Sequence, residues 1–397
     1  MKKIFNTPTK TITLLWIHPV IVLAISYFIA LGFISSTKLL SFFSVLDESG
    51  DVPMSDMYFK INSRRETARL DTNITLVNID LCKDRFEIAQ LIEQVESLQP
   101  KVIGLDAFFR NRKEQKADSV LENEIRRCKN LVISCILDIE HSNDNDKYFA
   151  CYRNFFAGQK DDNFTEGFLN FDSDGNSPVQ TFTPKLFLQE GESLDTLYCF
   201  AAQIAKLYNE IAFQKLLQRV GNLEIINFQP LRFYEIDKNE IRDSKEQITG
   251  KIVLIGSLSE DMHKTPINPR MLGMEIHAHV ISTIIEEKYI DRFDNIWSKL
   301  LNILLCYIFT LFCWLATTKL KAGVAILIKL VQVAILLLAF FIGYFLFNHY
   351  HIDVTYTRSV VVIGVVILIV DIYHVCISLG SKLIFKRNKT DKNEKDT

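Results

Sequence analysis

Asp80 and Asp106 each close an apolar, β-branched run, residues 74–79 in the first case and 102–105 in the second. Runs of that length and composition read as buried strands. Asp261 and His263 follow a third such run at residues 251–256. In open α/β sheets, ligands bind beyond the carboxyl ends of the strands. The spacing therefore predicts one sheet edge carrying Asp80, Asp106, Asp261 and His263, with Asp80 and Asp106 on adjacent strands. Carboxylates grouped with an imidazole have the chemistry to hold a cation or to recognise a polar ligand. The same residues would equally cap helices and tether loops. Catalysis is a third alternative, but no Ser or Cys nucleophile signature, P-loop or metalloprotease motif supports it. The expectation is a binding edge that is not an enzyme's and needs no cofactor.

Other candidates weaken on inspection. His277-Ala278-His279 invites a metal reading, yet residues two apart on a helix point to different faces. A packed His277, close enough to join the candidate ligand site, and an exposed His279 are expected, with no metal. Asp172, Asp174 and Asn176 alternate as calcium ligands do, but the closing Glu of a calcium loop is missing. Residues 167–171 before them read as a strand entering a tight turn. Cys82, Cys128, Cys135, Cys151 and Cys199 are odd in number and follow no disulfide framework. Cys135 sits inside an apolar run at 131–137 and reads as a buried thiol.

These residues need an α/β scaffold. Asp84 and Glu87 form a capping-box pattern that opens a helix with Ile88, Leu91, Ile92, Val95 and Leu98 on one face, ended by Pro100. Strand, helix and strand in that order imply a right-handed parallel βαβ unit. A helix at 114–128 leads to a strand at 131–137. A long helix is predicted over 194–217, strands over 223–228 and 231–236, and a last helix over 274–287. Charge is nearly balanced over the 397 residues, with 45 Lys+Arg against 47 Asp+Glu. Nucleic-acid binding would call for a basic excess.

The rest of the chain is written for a membrane. Residues 14–34, 296–316, 322–347 and 358–380 are apolar over the roughly 20 residues that a spanning helix needs. The first is longer than the apolar core of a cleaved signal peptide and reads as a retained span. Lys2, Lys3 and Lys10 precede the first stretch, Lys319 and Lys321 separate the second from the third, and Lys382, Lys386, Arg387, Lys389, Lys392 and Lys395 follow the fourth. Basic residues resist translocation, so residues 1–13 and the basic tail 381–397 are expected in the cytoplasm and residues 35–295 outside. Lys288, Arg292 and Lys299 on the outer side conflict mildly with this, but long domains translocate largely regardless of charge.

Inside the last two spans lie Lys329 and Gln332, then Asp371 and His374. Lys329 is eight residues beyond Lys321 and Asp371 eleven before Lys382. At a rise of 1.5 Å per residue their depths are roughly 12 and 16 Å. An unpaired charge at mid-helix costs about 2.5–3.5 kcal/mol on insertion scales, which favours a Lys329–Asp371 pair over independent snorkelling of Lys329. Gln332 is then expected level with Asp371, and His374 level with Lys329.

Several segments together resemble the second type of CHASE domain, an extracytoplasmic sensor module associated with bacterial cyclases, histidine kinases and serine/threonine kinases. They are Val77-Asn78-Ile79-Asp80, Val102-Ile103-Gly104-Leu105-Asp106, Gly167-Phe168-Leu169-Asn170 with Asp174-Gly175, and Gly250-Lys251-Ile252-Val253-Leu254-Ile255-Gly256. Asp261, His263, Thr265-Pro266 and Gly273-Met274-Glu275-Ile276-His277-Ala278 complete the likeness. The resemblance implies an α/β extracytoplasmic sensor domain with a mainly parallel sheet, carried by four transmembrane helices. It departs at Asn176-Ser177-Pro178, where members often have an Arg, and at His279, where Asn is common. Relatives usually continue into a catalytic domain, whereas about 16 residues follow the last span here. The implied function is a sensor in a bacterial inner membrane that binds an extracytoplasmic ligand and relays the signal to a separate effector protein, with a homodimer as a further expectation. A non-signalling envelope scaffold and a transport-complex subunit are the alternatives.

Overall fold

The computed structural model describes residues 8–35, 54–141, 147–152, 154–157, 165–171, 177–190, 193–293, 296–319, 324–354 and 357–393. Two compact units divide the chain, Asp56–Asp291 on one side and Met1–Ser55 with Arg292–Thr397 on the other.

The first unit is built on a sheet of β1 (Arg69–Asn78), β2 (Val102–Asp106), β3 (Leu131–His141), β4 (Lys147–Tyr152), β5 (Thr165–Phe168), β10 (Leu231–Asp237) and β11 (Ile252–Gly256). Its order is β10-β1-β11-β2-β3-β4, with β5 also on β3. Six strands, β10, β1, β11, β2, β3 and β5, run parallel. β4 pairs antiparallel with the far end of β3. β11 lies between β1 and β2, with Asn78 opposite Gly256 and Gly256 opposite Asp106. The strands carrying Asp80 and Asp106 are thus not adjacent, contrary to expectation. The late strand β11 completes the centre of the sheet, a long-range insertion that local pattern does not encode.

Alternation along the strands sorts side chains to two covered faces, as a parallel sheet requires. Ile103, Leu105, Val253 and Ile255 pack with Leu91, Ile92 and Val95 of α3 (Arg85–Ser97) and Leu121 and Ile125 of α4 (Gln115–Arg127). Asp84 caps α3 by accepting the Glu87 N–H at 2.9 Å, while Glu87 reaches back to the Lys83 N–H at 3.0 Å. On the opposite face, a Cβ on Gly104 would lie 2.5 Å from Ile204 and 2.9 Å from Phe200. Both belong to α5 (Phe200–Tyr208), so only glycine lets that helix sit so close. The single helix expected over 194–217 is instead β8 (Ser193–Tyr198) followed by α5 and α6 (Glu210–Leu217). Asn209 makes the break by accepting the Ala212 N–H at 3.2 Å, an N-cap inside the apolar pattern. β8 pairs with β7 (Lys185–Glu190), and β6 (Thr181–Phe182) with β9 (Glu224–Ile225). The hairpin β12 (Met262–His263) and β13 (Met271–Leu272) leads into α8 (Gly273–Ile285), while α2 (Met54–Arg65) and the short α7 (Lys245–Ile248) complete the unit.

The second unit holds α1 (Pro8–Ser35), α9 (Ile296–Lys319), α10 (Val324–Tyr350) and α11 (Thr357–Asn393). Among the described residues, three helices are long and apolar enough to cross a membrane: Ile296–Thr318, Leu330–Tyr350 and Ser359–Gly380. Of the fourth expected span, residues 14–34, the described apolar stretch of α1 is Trp16–Leu31, shorter than the other three. It still packs with the spans: Val22, Leu23 and Ala30 of α1 share one buried cluster with Cys306, Phe309, Cys313 and Trp314 of α9 and Val362, Val366, Ile369 and Val370 of α11. β14 (Asp291–Phe293), just before α9, pairs with β15 (Ile352–Val354), between α10 and α11.

Candidate functional site

The carboxyl end of the central strands assembles the predicted groups one by one. Asp106 ends β2, and Gly256 ends β11 beside it. A Cβ on Gly256 would lie 2.8 Å from Met274 Sδ, 3.0 Å from the Asp106 carbonyl oxygen and 3.1 Å from Asp106 Cβ. Glycine there is what lets α8 and the end of β2 close together.

Asp261 follows in the left-handed region, with φ of 59°. A non-glycine residue held there is strained, and two contacts hold it. Its carbonyl accepts the Gly273 N–H at 2.8 Å, and its carboxylate pairs with His263 Nε2 at 2.8 Å. The carboxylate also abuts Gly273, the first residue of α8, where any Cβ would collide with it. A negative charge at a helix N-terminus is favourably placed.

Two imidazoles and two phenyl rings close the arrangement. Phe171, following β5, packs edge-on against His263 at 5.0 Å and stacks on His277 at 4.6 Å. Phe200, at the start of α5, meets His277 edge-on at 5.3 Å. His277 is buried on α8. Burial pushes its imidazole down to about 3, against an opposing pull from Asp261 and with a further push from His263. His277 is neutral at any ordinary pH. Burial pushes the Asp106 carboxyl up to about 7; the nearby Asp261 charge adds to this and His263 opposes it. The hydrogen bond from His263 holds Asp261 below the usual carboxylate value, against the cost of burial. One edge therefore presents an ionised Asp261, an Asp106 that titrates near neutrality, and an aromatic wall.

Asp106, Asp261, His263 and His277 are thus brought together, and Asp80 is not. Asp80 is exposed, and its Oδ2 accepts the Leu258 N–H at 3.0 Å. Its role is to tether the loop after β11. Phe171 and Phe200 were missed in the sequence, because a lone Phe beside a turn or at a helix start carries no chemical signature. Asp172, Asp174 and Asn176 lie outside the described residues, as does the Cys151 side chain. Among the described residues, no group of three or more His, Cys, Asp or Glu side chains is placed to hold a metal ion.

His279 is buried, not exposed as expected. It packs between Phe228 at 5.3 Å and Phe233 at 5.4 Å, and its Nδ1 has no hydrogen-bond partner. Burial lowers its imidazole to about 4. Both faces of α8 are covered, so the opposite side from His277 is core as well. Cys135 is fully buried, in line with its apolar run, and Cys128 and Cys199 are buried as well.

In the membrane helices, Gln332 does not lie level with Asp371. Its Nε2 donates to the Ile363 and Gly364 carbonyls of α11, the latter at 3.4 Å. His374 faces Trp314 of α9, with ring centroids 6.2 Å apart. The Lys329 side chain lies outside the described residues. A polar contact the sequence did not suggest joins α1 to α11: His18 Nδ1 and the Tyr373 hydroxyl share a hydrogen bond of 2.8 Å, and Trp314 packs on the His18 ring at 4.9 Å.

A parallel α/β domain between apolar helices, with a polar and aromatic edge at its strand ends, defines a membrane-associated sensor module. The family model for the CHASE2 domain matches residues 24–318, and the chain belongs to that family. No curated protein and no solved structure matches it.

Proposed function

We propose that the protein is a membrane sensor whose exported domain reads a signal at the Asp106–Asp261–His263–His277 edge and relays it to a separate partner protein. The carrying observation is that His277, stacked on Phe171 in the site, sits on α8. α8 ends at Ile285, and the chain reaches α9 at Ile296 through β14. Any change that shifts the Phe171–His277 stack acts on the helix that leads into the membrane. In this reading α1 is a fourth span, both termini are cytoplasmic, the domain lies outside, and the site binds without turnover.

The relay is tested on the full chain in lipid nanodiscs, with a spin label at Ser381→Cys just past the last span. Asp261→Asn and His277→Phe are expected to change label mobility, whereas Asp80→Asn is not. If both site variants leave the label spectrum unchanged while altering amide exchange around residues 261–277, the site is not coupled to the membrane helices.

A further inference from the structure

Asp353 is buried, 2 % exposed, in the short strand β15 between α10 and α11. Three separate segments converge on its carboxylate. The backbone N–H and the hydroxyl of Ser55 both donate to it. Ser55 lies in the first turn of α2, whose leading N–H groups have no partner within the helix. Asp353 thus supplies from a distant part of the chain the contact that an N-cap side chain normally makes. Arg292 of β14 approaches the same carboxylate, with Nε 3.7 Å from Oδ2. The other oxygen, Oδ1, is buried without a hydrogen-bond partner.

This is an expensive place for a carboxylate. Burial raises its pKa above the ordinary carboxylate value even though Arg292 and both Ser55 donors oppose the rise. A loop whose only task was to turn the chain between two helices would not need a buried acid. The segments it joins are the start of the helix that enters the exported unit, the strand that leaves it, and the connection between the last two membrane helices.

We propose that Asp353 is a clasp that fastens both connectors of the sensor domain to the α10–α11 hairpin, so that movement of either connector is passed to α11. The proposal rests on the relay reading above, but its contacts lie at the connectors, away from the ligand edge. The clasp can therefore be tested, and can fail, independently of that site.

The experiment uses the full chain in nanodiscs and two variants. Asp353→Ala removes every contact. Asp353→Asn keeps an acceptor for Ser55 and removes the charge facing Arg292. Amide hydrogen exchange is followed at residues 55–58 and 291–293, and distances are measured by pulsed spin-label spectroscopy between Ser63→Cys and Ser381→Cys. For Asp353→Ala, exchange at residues 55–58 is expected to rise about tenfold, the effect of losing one helix cap. The distance distribution is expected to broaden. For Asp353→Asn, exchange should rise at 291–293 and not at 55–58. If Asp353→Ala fails to accumulate in the membrane, the asparagine pattern decides. Unchanged exchange in both segments, or increased exchange with an unchanged distance distribution, overturns the clasp. If the clasp is present while site variants leave residue 381 unaffected, the fault lies in the proposed ligand edge.

Discussion

Asp106 should make the α/β domain more stable in acid than in alkali near neutrality, and Asp106→Asn should remove that dependence. An acid whose folded pKa is raised stays protonated in the folded state while the unfolded chain ionises. Between 3.8 and about 7 the unfolded state therefore binds fewer protons, and stability falls as pH rises. At ~1.4 kcal/mol per pH unit, the interval is worth at most about 4 kcal/mol above pH 7. The asparagine side chain keeps the shape and stays neutral. Asp106→Asn is thus expected to be neutral below pH 4 and stabilising by up to about 4 kcal/mol at pH 8.

Two measurements check this. Urea unfolding of the full chain in nanodiscs, followed at the α/β domain, gives the stability difference at pH 4 and pH 8. Infrared difference spectra of wild type against Asp106→Asn give the midpoint of the carboxyl band directly. A midpoint near 4, or an asparagine variant that is less stable at pH 8, would refute the claim that burial and Asp261 dominate at this position.

His277 and His279 act in the opposite sense. Their folded values, about 3 and about 4, lie below the ordinary 6.5, so stability is intact above pH 6.5 and falls as the unfolded chain takes up protons below it. His279→Phe should flatten that acid limb in the same urea titration; an unchanged limb would show that His279 is not buried neutral. Gly167→Ala should be far more damaging than Gly250→Ala. A Cβ at 167 would lie 2.6 Å from Phe200 Cα, against backbone that cannot yield, whereas nothing lies within 4 Å at 250, where φ is 69°. The expected costs are about 3 kcal/mol for the first and about 1 kcal/mol for the second. Equal melting losses would contradict the packing of α5 on β5.

How much was legible in the sequence follows from how local each signal is. The β1–α3–β2 stretch was readable because its strands are short apolar runs and its helix start is announced by Asp84 three residues before Glu87. β11 was readable as a strand but not as the central one, because its neighbours β2 and β1 lie 150 and 178 residues earlier in the chain. The Asn209 break was hidden by apolar residues that continue the helical pattern on both sides. At the site, Asp106, Asp261 and His263 were found because they follow strand ends. The Phe171 ring between His263 and His277 was not, since its role exists only once β5 and α8 lie together. His279 misled for a related reason: a helix two residues past a buried histidine normally turns toward solvent, but here Phe228 and Phe233 cover that face too.

Gln332 bonds at the level of Ile363 and Gly364. Asp371 is seven residues further along α11 than Gly364, or about 10 Å toward its C-terminal end. Lys329 is three residues before Gln332 on the antiparallel α10, about 4.5 Å in the same direction, which leaves Asp371 roughly 6 Å beyond Lys329 along the axis. Depths counted from Lys321 and Lys382 assumed that both helices enter the membrane at those residues, yet α11 runs unbroken to Asn393. Two polar residues of α11 meet α1 and α9. Tyr373 bonds His18 of α1, and both Tyr373 and His374 pack on Trp314 of α9. Without a hydrophobic drive between helices in lipid, packing and interhelical hydrogen bonds of this kind decide which helices associate. The polarity of α11 therefore fastens it to α1 and α9, the two helices that flank the α/β unit in sequence.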